Sequence, residues 1–571
     1  MNSADVLVYD MANASTENPS IFVKKDWLAI NDSNSQNYAG NQFVLETSAL
    51  SNSSRYINYR EGSLHIPLLL TLTGATATDS GFKPATAATS AAYAVGLKNA
   101  FHTIIDNLTL DLNGRTIIQV SRYLPVYNNF KLLTTLSDSD VKTLGTSIGF
   151  AKDNALSVSF QSGASTNGLG ASNNENFLAF PSVTGAFNSY EIANSGLVKR
   201  QQMINYDPDG VTSSAANAVA FSTLLSAVNC NQLYKSYIFK KQNAASSGSL
   251  QGIQQTAIMA VCPLKFLASF FQEVPLVKGM FMKITAGISN CDVTTAISSN
   301  AYGTPTINNA LGGVMPIMLA SALPNNGAKS LVDDTYTCSL AVGSQVINST
   351  QAAITGIGQS PLAKSVELHV PSYVFNPVYE QQYLGDMVKE INYTDIYQFQ
   401  IQNIASGSSV NSLISNGISD MRKIIIVPVL SKAGNGGSFD ELQSPFSTCG
   451  GGTTAPLSHI TNVQIQVAGQ NVFTSPQKYT YQTFLQQLYG INSINGGQTV
   501  GLQSGLIDQL DFETSYGYYV ANVERMLPVE KAVPKSLNIQ FQNVSGKECS
   551  YLVFVEYGQK VEIDVLTASV V

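Results

Sequence analysis

Few residues in this chain are arranged to do chemistry. Gly145-Thr146-Ser147-Ile148-Gly149 fits the G-x-S-x-G pattern of a nucleophile elbow, in which a sharp strand-to-helix turn presents a serine hydroxyl to a histidine. Its surroundings argue against that role. Ser137-Asp138-Ser139-Asp140 upstream reads as a helix start, polar Ala151-Lys152-Asp153-Asn154 follows, and only His369 and His459 lie downstream. A Gly-rich loop is the better reading. Asn205-x-Asp207-x-Asp209-Gly210 opens like a calcium loop, but Pro208 intrudes and position twelve is Ala216, where a bidentate glutamate is needed. A turn fits these residues better than a weak calcium site.

The remaining donors are sparse. Four histidines leave little for a zinc or non-haem iron centre. The six cysteines (Cys230, Cys262, Cys291, Cys338, Cys449, Cys549) are far apart and lack paired-ligand spacing, so they read as isolated, mostly buried thiols. No phosphate-binding Gly-Lys-Ser/Thr loop is present. The sequence therefore predicts no catalytic, cofactor-binding or metal residue. His65 and His369 stand out only because each lies in the same short phrase, Leu-His-Ile/Val-Pro. Between apolar neighbours on a strand, each ring points away from the core, which suits a structural role.

Composition narrows the class further. Charged residues are 12% of 571, about half the usual quarter, while hydrophobic content is 44%. That excludes ordinary disorder. Lys and Arg total 31 against 38 for Asp and Glu, without a basic run, so sequence-specific nucleic-acid binding is not expected. Met1–Ser20 lacks the pattern of a secretory leader, and no stretch is long enough for a membrane span. Neutral polar surface of this kind suits packing beside copies of the same chain.

Alternation dominates the elements that would position such residues. Leu64, Ile66, Leu68, Leu70 and Leu72 occupy every second position, as do Leu108, Leu110 and Leu112 before the hairpin dipeptide Asn113-Gly114. Further strands read at 43–45, 117–120, 234–239, 280–284, 366–370, 424–429, 537–541, 551–555 and 561–565. Short helices read at 94–105, 137–144, 263–271 and 478–488. Ser162–Asn176, Gly434–Ser438 and Gly450–Thr454 read as surface loops. The chain also repeats itself. Leu64-His65-Ile66-Pro67 returns as Leu368-His369-Val370-Pro371, and Asn107–Gly114 returns as Asn462–Gly469. A Tyr-x-x-Phe step follows each time (Tyr127/Phe130, Tyr481/Phe484). This predicts one all-β domain used twice, with a boundary between Cys291 and Ala320. The signatures are separated by 64 to 107 and by 368 to 462, so the second domain is expected to carry the larger insertion between them.

Cys262–Ile284, Val366–Glu380, Asn462–Gly469 and the tail Pro534–Phe541, Tyr551–Tyr557 and Val561–Val565 resemble segments of the major capsid proteins of virophages and Polinton-like viruses. The resemblance implies two tandem eight-stranded jelly-roll sandwiches, a double jelly roll with long loop insertions and a few short helices. It divides into an N-terminal arm (1–39), a first jelly roll (40–310) and a second (311–571). Leu64, Ile66, Leu108, Leu110 and Leu112 would face one core, and Leu368, Val370, Val463, Ile465 and Val467 the other. It also implies a non-enzymatic homotrimer, a pseudo-hexameric capsomer tiling an icosahedral virion that assembles inside the host cell. Partners would be neighbouring capsomers, penton and minor capsid proteins. A spike or host-attachment protein built from two sandwiches is the alternative, and a jelly-roll polysaccharide enzyme a third, since fold alone does not fix function.

Overall fold

The alternating stretches form sixteen framework strands, numbered β1–β16 below; accessory strands are given by residue range. The computed structural model describes residues 20–34, 36–38, 40–51, 55–74, 95–153, 196, 200, 234–242, 250–298, 301–302, 305–319, 334–343, 365–414, 417–434, 439–445, 459–488, 505–514, 516–524, 531–566 and 569–570. The first eight strands are β1 (Phe22–Asn31), β2 (Gln42–Glu46), β3 (Ser63–Gly74), β4 (Ile105–Leu112), β5 (Arg115–Val120), β6 (Leu250–Pro263), β7 (Met282–Ile288) and β8 (Glu367–Phe375). The second eight are β9 (Val388–Ile404), β10 (Ser409–Ile414), β11 (Met421–Leu430), β12 (Ile460–Val467), β13 (Gln470–Asn471), β14 (Tyr519–Asn522), β15 (Leu537–Asn543) and β16 (Cys549–Asp564).

Pairing repeats one plan. In the first unit one sheet runs β1-β8-β3-β6 and the other β2-β7-β4-β5. In the second the sheets run β9-β16-β11-β14 and β10-β15-β12-β13. Each unit thus orders its strands first-eighth-third-sixth and second-seventh-fourth-fifth, the double-sheet arrangement of a jelly roll. The hairpins agree too. Asn113 (φ 48°) and Gly114 (φ 83°) turn β4 into β5, and Ala468 (φ 53°) and Gly469 (φ 80°) turn β12 into β13. Positive φ at both central residues is what a two-residue type I′ turn requires.

Sheet order relocates several sequence expectations. The strand Asp334–Val342 pairs with the later part of β3, and β8 pairs with its start, so the first unit continues past residue 310 to Phe375. Residues 22–31 are not part of an arm, because they form β1 and pair with β8 from Phe22 to Asn31. Leu64 and Leu368 therefore lie on the third and eighth strands of one sandwich, not at equivalent places in two. The second unit does not carry the larger insertion expected from the spacing of the two signatures: the connection from third to fourth strand spans 75–104 in the first unit and 431–459 in the second, nearly equal lengths. The large insertions are 121–249 and 289–366, both in the first unit. The helix expected over 94–105 is instead a strand at Val95–Leu97, a 3-10 turn at Phe101–Ile104 and the start of β4.

The units interlock. Leu64, Ile66, Leu108, Leu110, Leu112, Leu368 and Val370 are buried in one core, joined by Ile391 and Tyr393 of β9 and Val561 and Ile563 of β16. Leu368 and Val370 were expected in the other core; they lie here because β8 closes the first sandwich. Val463, Ile465 and Val467 lie in the second core. Two helices that follow β5, α1 (Leu124–Thr135) and α2 (Asp138–Ile148), cross over to it, contributing Val126, Phe130, Leu133 and Ile148. Burying such side chains contributes about 1.5–3 kcal/mol each.

Candidate functional site

The sequence-flagged residues resolve first. The Gly145–Gly149 pattern is the last turn of α2, not a loop. That helix starts at a capping box: Ser137 Oγ accepts from Asp140 N and Asp140 Oδ2 accepts from Ser137 N, at 3.2 and 2.9 Å. It ends at left-handed Gly149, and Ser147 Oγ donates to Leu144 O at 2.7 Å, so no base addresses the hydroxyl there. Asn205–Gly210, Ser162–Asn176 and Gly450–Thr454 lie outside the described residues. Cys262, Cys291, Cys338 and Cys549 are buried free thiols, and burial pushes the Cys262 thiol up to about 12. Among the described residues no three His, Cys, Asp or Glu side chains gather as a metal site.

The two repeated histidines meet. Across the β3–β8 junction Leu64 faces Leu368, His65 faces Glu367 and Ser63 faces His369, so the two copies of the phrase are related by a local dyad through the leucine pair. The imidazoles stack with centroids 3.9 Å apart and planes 20° from parallel. His369 Nε2 lies 2.9 Å from Glu367 Oε2, and His65 Nε2 lies 3.1 Å from Ser63 Oγ. This pair staples a strand junction only three residue pairs long. His102, by contrast, is buried in its 3-10 turn, and burial lowers its pKa to about 4.

A cluster of buried polar and charged groups escaped sequence reading. A cleft of about 1290 Å³ opens between the two sandwiches, walled by α1, the 261–273 segment, β9, and the facing residues of β11 and β16. Lys423 on β11 and Glu556 on β16 are direct cross-strand partners on its floor. Glu556 is 3% exposed. Its carboxylate accepts from Tyr127 Oη at 2.8 Å and from Lys131 Nζ at 2.9 Å, two α1 residues one turn apart. Burial alone would raise the Glu556 pKa; the Lys131 and Lys423 charges and these hydrogen bonds outweigh it, and the net shift is downward. Burial lowers Lys423 to about 8 against the opposing pull of Glu556. Beside them, Arg422 donates to Asp420 and Thr394, and Tyr557 donates to Asp395 at 2.9 Å. These residues come from four distant segments, α1, β9, β11 and β16, so no spacing could have announced them.

Two complete jelly rolls of one strand order, interlocked in a single chain, define the class: a double jelly-roll protein. Comparison with solved structures finds the fold again in a chain of the Sputnik virophage, solved by cryo-EM at 3.5 Å, with 11% identity, 98% of this chain and 91% of that chain covered, and a TM-score of 0.50. The mavirus major capsid protein (10% identity, 98% and 92% covered, TM-score 0.42) and the Faustovirus major capsid protein (8%, 98% and 94%, 0.42) are also similar. No family model and no curated protein matches the sequence.

Proposed function

We propose that this chain is a viral major capsid protein, three copies of which form a pseudo-hexagonal capsomer that tiles an icosahedral shell. The observation that carries the reading is the tandem pair of jelly rolls with identical strand order, matched end to end by a chain of a virophage. Two similar sandwiches per chain give a trimer six similar flanks, which closed symmetry can pack. The low charge, 12% of residues, suits such lateral contact. In this reading the protein is not an enzyme, resides in the virion, and meets neighbouring capsomers, pentons and minor capsid proteins after assembly inside the host cell.

Light scattering combined with negative-stain microscopy tests it. The expected result is a trimer of about 183 kDa, three chains of 61.0 kDa each, with a hexagonal outline. A stable monomer that hydrolyses a glycan overturns the reading. Low copy number in purified particles would instead favour a spike or attachment protein.

A further inference from the structure

One end of the molecule leaves large apolar side chains in water. Ile21, Val23, Val378, Met387, Val388 and Leu566 are each between 39% and 67% exposed, half of the twelve large hydrophobic residues that stand exposed among the described residues. They gather in one place. Asn376 N donates to Ile21 O at 3.0 Å, which brings the helix Pro377–Leu384 beside the start of β1, and Val565 N donates to Met387 O at 2.9 Å. Both contacts border one small buried cluster, Tyr56, Phe375 and Val565, with Phe22 and Tyr383 packed on it. A gathering of exposed apolar side chains on this scale marks a contact surface.

The charges around the patch do not select a charged partner. Lys24 pairs with Asp26, Lys389 pairs with Asp386, and Lys278 and Glu380 both lie against Tyr56. An anionic lipid surface or a nucleic acid calls for a basic excess, and these charges balance. The chain itself offers an apolar partner. Residues 1–19 lie outside the described ones and join β1 through Ser20, whose carbonyl accepts from Asn376 Nδ2 at 3.4 Å beside the patch. Their sequence holds Val6, Leu7, Val8, Tyr9 and Met11, followed by the link 12–19, Ala-Asn-Ala-Ser-Thr-Glu-Asn-Pro, which has no large apolar residue. The eight linking residues extend to at most roughly 29 Å and span roughly 16 Å on average when flexible, enough to lay the apolar run over a patch that begins where the link ends. A tether of that length gives a local concentration of about millimolar, which favours the chain's own segment over that of a second copy.

We infer that the patch is the docking surface of the chain's own N-terminal segment, with Leu7 and its apolar neighbours lying on Val378, Met387 and Leu566. Removal of both apolar surfaces from water drives the contact. This goes beyond the shell-building reading and does not depend on it, because the contact forms within one chain and hydrodynamic mass is measured separately.

Photo-crosslinking of the full chain tests the inference. Leu7→p-benzoylphenylalanine places a ketone that, on irradiation, inserts into neighbouring C–H bonds. The expected product joins position 7 to residues 377–388 or to Leu566, located by mass spectrometry, and migrates as one chain of 61.0 kDa. A product of twice that mass would assign the patch to the segment of a second copy and overturn the inference. Adducts only elsewhere, or none, overturn it as well. Met387 supplies a second readout, because its thioether is oxidised by hydrogen peroxide in proportion to its exposure. Leu7→Asp should release the segment and speed oxidation of Met387 by about threefold or more. An unchanged rate would mean that the segment does not cover Met387, and the inference fails. Binding of the full chain to vesicles of phosphatidylcholine and phosphatidylserine, abolished by Met387→Asp, would assign the patch to a lipid surface instead and overturn it too.

Discussion

The two sandwiches share a strand order and little else. The second has four described strands on four, short turns from β9 to β11, and its longer connections at 431–459 and 472–518. The first carries the two longest insertions, and among the described residues seven accessory strands widen its β1-β8-β3-β6 sheet to eleven. What the jelly roll fixes is which strands pair; what it leaves free is the connections at its ends. Equivalence between the units has to be read from place in the sheet, not from similar peptides. By that measure β4 and β12 correspond, and so do the helices after each hairpin, α1 in the first unit and Tyr481–Leu488 in the second.

The harshest way to break the correspondence is to charge the same place in each unit. Leu110 on β4 faces Ile284, and Ile465 on β12 faces Ile539; all four are buried. Leu110→Asp and Ile465→Asp each place a carboxylate in a core and are expected to cost more than about 4 kcal/mol. Soluble yield and circular dichroism are the readouts. Because the cores exchange β9, β16 and α1 residues, each variant should lose both units together. Normal yield of either would refute the core assignment.

A milder pair asks whether the helices belong to the units they follow. Phe130 and Phe484 are the closing residues of the two Tyr-x-x-Phe steps, both fully buried, and both in the second core. Phe130→Ala and Phe484→Ala are each expected to cost about 3–5 kcal/mol and to keep a single thermal transition. If Phe130→Ala splits the melt so that the first unit unfolds alone, α1 does not tie the units.

Sequence made the strands and turns legible because alternation and Asn-Gly act locally. The Ser137/Asp140 cap announced α2 in the same way. Helix α1 was hidden: Pro125 looks like a breaker, and its N-cap Tyr123 sits at φ 55° with no side-chain cap. The boundary was misplaced for a subtler reason. β3 and β8 both run between paired neighbours in one sheet, with apolar residues inward and His and Pro outward, so similar surroundings selected similar peptides without equivalent position. The cleft was illegible because Lys131, Lys423 and Glu556 converge only after α1 crosses to the second unit.

The histidine junction offers a finer test. A stacked pair contributes about 0.5–1.5 kcal/mol beyond its buried area. A double-mutant cycle on His65→Ala and His369→Ala, read by chemical denaturation, should return coupling of that order. Additive effects would mean that the rings touch without holding β3 to β8.

The smallest expected effect bears most directly on equivalence. The two hairpins adopt one turn with different residues, Asn113-Gly114 and Ala468-Gly469, and both first positions are left-handed. In that region a Cβ pressed toward the following carbonyl costs an ordinary residue roughly 1–2 kcal/mol, and asparagine tolerates it better. Ala468→Asn should therefore raise stability by up to about 1 kcal/mol, visible as a small upward shift in melting temperature. Asn113→Ala should lower it by somewhat more, because Asn113 Oδ1 also accepts from Phe281 N at 3.3 Å. A second unit destabilised by Ala468→Asn would show that the β12–β13 turn is held by its own surroundings, and the turns would then be alike in shape only.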